Sequence, residues 1–285
     1  MIAKSKSDVV VLRNSQIKHT DEVNGCLQSI TVNPTELCNR TCGFCPRSDA
    51  KKYPNQNLHI SIETVSSLSK RLTEFGYSGR LGWSGNGEPL LTENFLEHVG
   101  FVSQANPDLS VHEINTNGDR LTPNLIEQIY SAGINHIIVS VYDGEESLEK
   151  FKNLFRGYAD DDYTLRISYG DKNPVGFTNR AGFVSVNSDK ISEFKYNKCY
   201  LPFYKLVIDW NGDVLVCCED WGRKSRSELN INTHTLSEIW NSEKLGSYRD
   251  TLMLGKRILS PCNVCNIHGE KVGKNLADLF YEKEL

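Results

Sequence analysis

The sequence predicts an α/β protein in two parts: a parallel sheet with covering helices, then a smaller module built on a β-hairpin and a helix. Three observations predict it. Between Leu27 and Tyr169, short apolar or β-branched runs alternate with segments whose apolar residues recur at helical spacing, the rhythm of a parallel sheet wrapped by helices. Ile134 to Val141 is mostly β-branched and apolar, as in a strand buried on both faces. From about Asn187 the rhythm changes, and Asn211-Gly212 between two apolar runs is a strong hairpin signal.

The elements follow in order. Residues 1–26 form an extension with a short apolar run, Val9 to Leu12, read as an extra edge strand or a mobile arm. Leu27 to Val32 reads as a strand that leads into a cysteine-rich loop. Ser61 caps a helix whose apolar face is Ile62, Val65, Leu68, Leu72 and Phe75, and Gly76 stops it. Arg80 to Ser84 is the next strand, Phe95 to Val102 a helix, and Leu109 to Ile114 a strand. Thr122 and Pro123 are a good N-cap and first helical residue for a helix that ends at Gly133. A helix around Glu145 to Phe155 and a strand around Tyr163 to Tyr169 continue the alternation. Catalytic groups are then expected on the loops that follow the strands' C-terminal ends. In the second module, Leu206 to Trp210 and Asp213 to Val216 form the hairpin, followed by helices at Leu236 to Asn241 and on to about Leu254.

Composition bounds the function. The chain of 285 residues suits one large domain, or one domain with a small appendage. A formal net charge of −4 gives no general basic field for nucleic acid. No apolar run approaches the roughly 20 residues that span a membrane. The lysines of Met1 to Asp8 precede no apolar stretch of signal-peptide length. Nine cysteines in that context argue for metal ligation in a reducing compartment, hence a soluble, cytoplasmic protein with no nucleic-acid or membrane partner.

The chemistry concentrates in Cys38-Asn39-Arg40-Thr41-Cys42-Gly43-Phe44-Cys45. Three thiolates so spaced can hold three irons of a four-iron cluster and leave the fourth iron open to a cofactor. Zinc is the alternative, but structural zinc takes four ligands, and His59 lies beyond a charged, Pro-containing loop. Gly87-Glu88-Pro89 follows the next strand, where glycine permits close backbone approach and a carboxylate or carbonyl can accept from an ammonium. Thr116-Asn117-Gly118 follows the strand after that, and Ser140 lies in the next. In the second module, Cys199, Cys217, Cys262 and Cys265 are four potential ligands, for zinc or for a cluster. Cys26 and Cys218 are left over; a spare thiol is commonly a small buried apolar group, and the sharper reading of Cys218 is a hydrogen-atom donor. Asn179-Arg180-Ala181-Gly182 precedes that module, and Glu219-Asp220 follow Cys217-Cys218; these charges are either solvated or aimed into a site. Trp83 and Asn86 flank the Gly87 loop as possible pocket walls.

In this order the motifs resemble the radical S-adenosylmethionine (SAM) enzymes that carry a C-terminal twitch or SPASM-type auxiliary iron–sulfur domain. They are similar in particular to the dehydrogenases of aminocyclitol antibiotic biosynthesis in the butirosin pathway. The stretches that carry it are the cysteine loop with Pro46, Gly87 to Leu91, Thr116 to Asp119, Asn179-Arg180, Cys217 to Asp220, Glu238-Ile239-Trp240 and the final cysteine pair. The resemblance implies an N-terminal extension over 1–26, a partial (β/α)6 barrel over 27–186, and a twitch domain with a tail over 187–285. It implies S-adenosyl-L-methionine and two 4Fe-4S clusters as cofactors. Cys38, Cys42 and Cys45 would hold the first cluster, and Cys199, Cys217, Cys262 and Cys265 the second. Phe44, Gly87, Glu88, Asn117 and Ser140 would contact the cofactor, while Arg180 and Glu219 would act on the substrate. The implied reaction is hydrogen abstraction by a 5′-deoxyadenosyl radical and oxidation of an alcohol or amine carbon of a sugar or aminocyclitol. The auxiliary cluster would accept the second electron, and a donor such as flavodoxin or ferredoxin would supply the first. The chain departs from the pattern at Trp83-Ser84-Gly85-Asn86 and at Tyr142-Asp143-Gly144, where substrate choice would be made. Three other readings stand beside this one: a redox-neutral epimerase using Cys218, a ribosomal-peptide-modifying enzyme, and a zinc-stabilised binding module.

Overall fold

The computed structural model describes residues 1–3, 20, 22–169, 178–185 and 196–282. Its strands are β1 (Ile2–Ala3), β2 (Ser29–Val32), β3 (Arg80–Trp83), β4 (Val111–Thr116), β5 (His136–Val141), β6 (Tyr163–Ile167), β7 (Lys205–Ile208) and β8 (Val214–Leu215). They form one eight-stranded sheet in the order β1-β6-β5-β4-β3-β2-β7-β8. Every pairing is parallel except that of β7 with β8. The helices are α1 (Ile62–Phe75), α2 (Phe95–Ala105), α3 (Pro123–Ser131), α4 (Glu145–Leu154), α5 (Leu236–Trp240), α6 (Glu243–Met253) and α7 (Lys274–Glu282).

Local chemistry sets the helix ends. Ser61 accepts from the Thr64 amide at the start of α1, and Gly76, at φ 66°, closes it in the left-handed conformation that glycine adopts without strain. Thr122 accepts from the Leu125 amide at the start of α3, with Pro123 in the first turn. Thr235 and Glu238 form a reciprocal capping box on α5.

Side-chain alternation along the strands makes two environments. The outward row, including Ile30, Leu81, Trp83, Ile114, Val139 and Leu165, is fully buried in the same core as Val65, Leu68, Leu72, Val99, Ile126 and Ile129 of the helices. The inward row is mostly polar, with Ile138 of β5 an apolar member. One such residue from each of β2 to β7 (Thr31, Arg80, Glu113, Ser140, Arg166 and Lys205) lines a single cleft. A closed barrel normally fills its interior with branched apolar side chains; this open one keeps a hydrophilic lumen. Trp83 therefore does not wall the pocket. It faces outward, edge-on to Phe95, and donates to His112 Nε2 at 2.8 Å.

Two pairings tie the chain's parts into one sheet. β1 lies beside β6, and the Met1 ammonium donates to the Asp160 and Tyr163 carbonyls, each at 3.0 Å. Five strands, β2 to β6, run in sequence order, and β1 occupies the next position on that edge. The expected run Val9 to Leu12 lies outside the described residues. On the other side, β7 pairs with β2, so the hairpin of the second module is bonded to the first strand of the barrel. The turn between β7 and β8 has Gly212 at φ 87°, as its Asn-Gly sequence requires. No described helix is long and apolar enough to cross a membrane.

Candidate active site

The cysteine loop leaves the C-terminal end of β2 and is held from below and from its rim. Asn55 brackets Cys38, accepting from its amide and donating to its carbonyl, both at 2.9 Å. Arg47 is buried beneath and donates to the Asn86 carbonyl at 2.5 Å, Asn55 Oδ1 at 3.0 Å and Glu36 Oε2 at 3.2 Å. Arg40 reaches across the rim and forks onto both carboxylate oxygens of Asp119 and of Asp143 at 2.5–2.9 Å. Bidentate Arg–carboxylate pairs fix geometry as well as charge, so the loop is registered against the segments that follow β3, β4 and β5.

Gly87 is where the second loop touches the first. A Cβ there would lie 2.7 Å from the Leu37 carbonyl oxygen and closer still to that of Thr35, so only glycine lets the two backbones meet. The Glu88 carboxylate turns into the protein. It accepts from Thr116 Oγ1 at 2.6 Å, the Asn117 amide at 2.8 Å and the Leu90 amide at 3.2 Å. Burial pushes its pKa up against those hydrogen bonds. Both of its carboxylate oxygens are thus engaged within the protein. Asn117 ties back to Asn39 at 2.9 Å, and Ser140 sits between Asn115 and Arg166. The Phe44 ring packs 5.4 Å from that of Tyr142. Phe44, Gly87, Glu88, Asn117 and Ser140 all line one cleft of about 360 Å³ with Cys38, Cys42 and Cys45.

The facing wall carries Arg180 and Glu219. Arg180 Nη1 donates to Glu219 Oε1 at 3.1 Å, and Thr178 donates to the other oxygen. Arg180 and Ala181 are non-glycine residues at φ 48° and 49°, followed by Gly182 at 90°. That uncommon conformation is held because Asn179 is bonded to Asn266 and to the Val264 carbonyl at 2.6 Å, beside the final cysteine pair. Burial raises the Glu219 pKa, with the Arg180 charge opposing it. Cys218 opens onto the same cleft. Asp220 does not. It is buried and accepts from the Lys224 and Ser225 amides, closing a turn.

Cys217 points the other way. With Cys199, Cys262 and Cys265 it lines a separate, largely apolar pocket. Burial pushes Cys42 up to about 11 and Cys262 up to about 12 and raises Cys38, Cys45, Cys199 and Cys265, while Cys217 is raised first by its hydrogen bond with Cys218 and then by burial. Such thiols ionise on binding metal, so assembly of either site releases protons. Among the described residues, no three His, Cys, Asp or Glu side chains converge as ligands of a single ion. Thiol-only donors spread around a pocket fit an iron–sulfur cluster, whose irons are themselves spread over a cube, better than one tetrahedral zinc ion.

Family comparisons agree with that geometry. The radical SAM superfamily model matches residues 32–167, and the SPASM iron-sulfur cluster-binding domain matches residues 199–266. The S-adenosyl-L-methionine-dependent 2-deoxy-scyllo-inosamine dehydrogenase of Niallia circulans is 30% identical over 238 residues, covering 83% of this chain and 92% of its own length. The chain belongs to the radical SAM family. It is a radical SAM enzyme of the SAM-dependent dehydrogenase kind, with a SPASM-type second part, and SAM and iron–sulfur clusters are its cofactors. The crystal structure of BtrN in complex with AdoMet and 2-DOIA superposes with a TM-score of 0.72 at 27% identity, over 85% of this chain and 94% of that one. BtrN in an open conformation gives 0.64 at 25% identity, over 85% and 92%. The GTP 3′,8-cyclase of Marinobacter nauticus is 26% identical over 50% of this chain and 40% of its own length.

Several residues of this radical SAM site escaped the sequence reading. Arg47 looks like an ordinary loop charge after Pro46, yet it is 3% exposed and joins the cysteine loop to the Gly87 loop. Arg166 is one cation within Tyr163 to Ile167, and its Nη2 lies 2.5 Å from Ser140 Oγ in the cleft. The available signal was alternation: in β6, Arg166 stands on the face opposite Leu165 and Ile167. Arg223 was also missed; it bonds Asp209, Tyr53 and Glu36 beneath both loops.

Proposed function

We propose that this radical SAM enzyme oxidises an alcohol or amine-bearing carbon of a sugar or aminocyclitol. The observation that carries the proposal is the hydrophilic lumen, with a polar side chain from every strand between β2 and β7 opening toward the cysteine loop. A polyhydroxylated substrate has the donors and acceptors to satisfy such walls, whereas an apolar one would strand them. The 2-deoxy-scyllo-inosamine dehydrogenase among its relatives acts on a molecule of that class.

In this reading Cys38, Cys42 and Cys45 hold a 4Fe-4S cluster with an open iron for SAM, and Cys199, Cys217, Cys262 and Cys265 hold a second. SAM held there would supply the chemistry of hydrogen abstraction from carbon, and a cluster held by Cys199, Cys217, Cys262 and Cys265 would supply an acceptor for the remaining electron. A small one-electron carrier such as flavodoxin or ferredoxin provides the initiating electron. The protein's part is positional and acid–base. Phe44, Asn117 and Ser140, with the backbone at Gly87 and Glu88, seat the cofactor; Arg166 beside Ser140 suits its carboxylate. Arg180 stays charged and orients the substrate oxygen. Glu219, raised in pKa by burial, accepts the hydroxyl proton. The wall between the two thiol pockets is where the Arg180–Glu219 pair lies, so a substrate held there is near both. Cys218, open to the cleft, supports a second reading in which it returns a hydrogen atom and the product is an epimer.

The test uses anaerobically reconstituted protein with dithionite, SAM and 2-deoxy-scyllo-inosamine as first probe, then a panel of aminocyclitols and sugars. A product two hydrogens lighter than its substrate is expected. An isomer of unchanged mass, carrying solvent deuterium at carbon, would replace oxidation with epimerisation.

A further inference from the structure

The pocket formed by Cys199, Cys217, Cys262 and Cys265 contains one cation among its described lining residues, Arg257. Its surroundings are otherwise mostly apolar: Leu201, Pro202, Val216, Leu252 and Ile267. Arg257 is only 4% exposed. Every hydrogen bond it makes among the described residues goes to a backbone carbonyl: Asn197 at 3.0 Å, Cys265 at 3.2 Å, Ile267 at 2.9 Å and Lys198 at 3.4 Å. Those carbonyls flank Cys199 and belong to or follow Cys265, so the guanidinium clamps two of the segments that supply thiols.

A buried guanidinium without a carboxylate partner is costly unless something nearby is negative. Three carboxylates also face the thiols, and none is bonded to Arg257. Glu219 is held by Thr178 and Arg180, Asp220 by Ser225 and the Lys224 amide, and Glu270 through one oxygen by His268 at 3.0 Å, its Oε2 being buried without a hydrogen bond among the described residues. The four thiolates of the pocket that Arg257 lines are that negative charge.

We propose that Arg257 is the charge-compensating residue of the auxiliary cluster, needed for a low-polarity pocket to hold four thiolates and raising the cluster's reduction potential. The inference rests on the reading of these four cysteines as cluster ligands, and it adds a positioning residue that tunes how well the cluster accepts an electron. Reduction adds one negative charge to the cube. A fixed cation a short distance away in a weakly screened pocket favours that reduced form. The carbonyl clamp explains why an arginine serves: its planar fork reaches several carbonyls while keeping its charge at all accessible pH.

The experiment compares Arg257→Gln and Arg257→Lys with the wild-type holoenzyme. Iron content and the visible spectrum report whether the auxiliary cluster is present, which tests the cluster reading separately. A potentiometric titration followed by electron paramagnetic resonance then gives its potential. The two clusters are told apart because only the Cys38, Cys42 and Cys45 cluster should change its signal on adding SAM. Arg257→Gln is expected to move the auxiliary potential down, with Arg257→Lys close to wild type. If Arg257→Gln assembles no auxiliary cluster while Arg257→Lys does, charge compensation is equally supported. A wild-type potential in Arg257→Gln overturns the proposal. So does an equal effect of both variants, whether an equal shift or a shared loss of the cluster, because shape rather than charge would then be at work.

Discussion

Replacing Gly87 by alanine adds a single methyl group at the contact between the cysteine loop and the loop after β3. The new Cβ would meet the Thr35 carbonyl oxygen in a clash, the Leu37 carbonyl oxygen at 2.7 Å and Thr35 Cγ2 at 2.9 Å. Two of those atoms are backbone, so no rotamer change relieves them. Gly87 is not among the positive-φ positions, and its conformation is open to alanine; the close approach alone is tested. Overpacking of this kind costs about 1–3 kcal/mol. At about 2–4 °C per kcal/mol for a large domain, the melting temperature should fall by roughly 2–12 °C. The control is Gly43→Ala in the same cysteine loop, where a Cβ meets nothing within 4 Å. There, lower unfolded-chain entropy should give no loss and up to about 1 kcal/mol of gain. Thermal unfolding under anaerobic conditions reads both. SAM binding, followed by its effect on the reduced cluster's resonance signal, should weaken about tenfold or more in Gly87→Ala, equivalent to about 1.4 kcal/mol. If Gly87→Ala melts with or above wild type, the two loops do not meet as described and the account of the cofactor seat fails.

Three further outcomes follow from the same geometry. The wild type should carry about eight irons after reconstitution and the triple variant Cys38→Ala, Cys42→Ala, Cys45→Ala about four, while Cys42→Ala alone stops 5′-deoxyadenosine release; stoichiometric zinc in place of iron in anaerobically purified protein would contradict the cluster assignment. Cys218→Ala should keep both clusters and, if oxidation is the reaction, keep product formation; loss of turnover with continued deoxyadenosine release would favour hydrogen return by that thiol. Burial pushes His112 down to about 4, and its Nε2 accepts from Trp83, an acceptor role open only to the neutral ring. The unfolded chain therefore binds more protons below about pH 6.5, so stability should fall as pH drops from there toward 4, by on the order of 3 kcal/mol relative to His112→Gln in denaturant melts. Equal acid sensitivity of the two proteins would refute that role.

The sequence announced the parts of this fold that are local. Ser61, Gly76, Thr122 and the Asn211-Gly212 turn carry their structural instruction within a few residues, and the elements they bound lie where they predict, to within a few residues. What escaped is non-local. β1 is two residues long, too short for a periodic signal, and owes its existence to β6. The pairing of β7 with β2 joins segments far apart in the chain, and no feature of either names its partner. α7 also went unread; it is fixed by packing Phe280 against Phe203 and Trp240. At the site, the choice of Cys217 over its neighbour Cys218 came from the family resemblance, while spacing made the three cysteines of the first loop and the Cys262–Cys265 pair visible. The buried arginines were not, because an arginine's sequence neighbours do not say whether its partners are water or a carbonyl lying many residues away.

Transfer of a labelled hydrogen tests the central claim most directly. A substrate identified from the aminocyclitol and sugar panel would be prepared with deuterium on the carbon that is oxidised, and 5′-deoxyadenosine collected from the reaction would be weighed by mass spectrometry. If the cleft brings that carbon to the cofactor seated over Cys38, Cys42 and Cys45, deoxyadenosine gains one deuterium for each product molecule formed, and Cys42→Ala gives neither. Product formed with unlabelled deoxyadenosine, or with the deuterium lost to water, would contradict direct abstraction at this site.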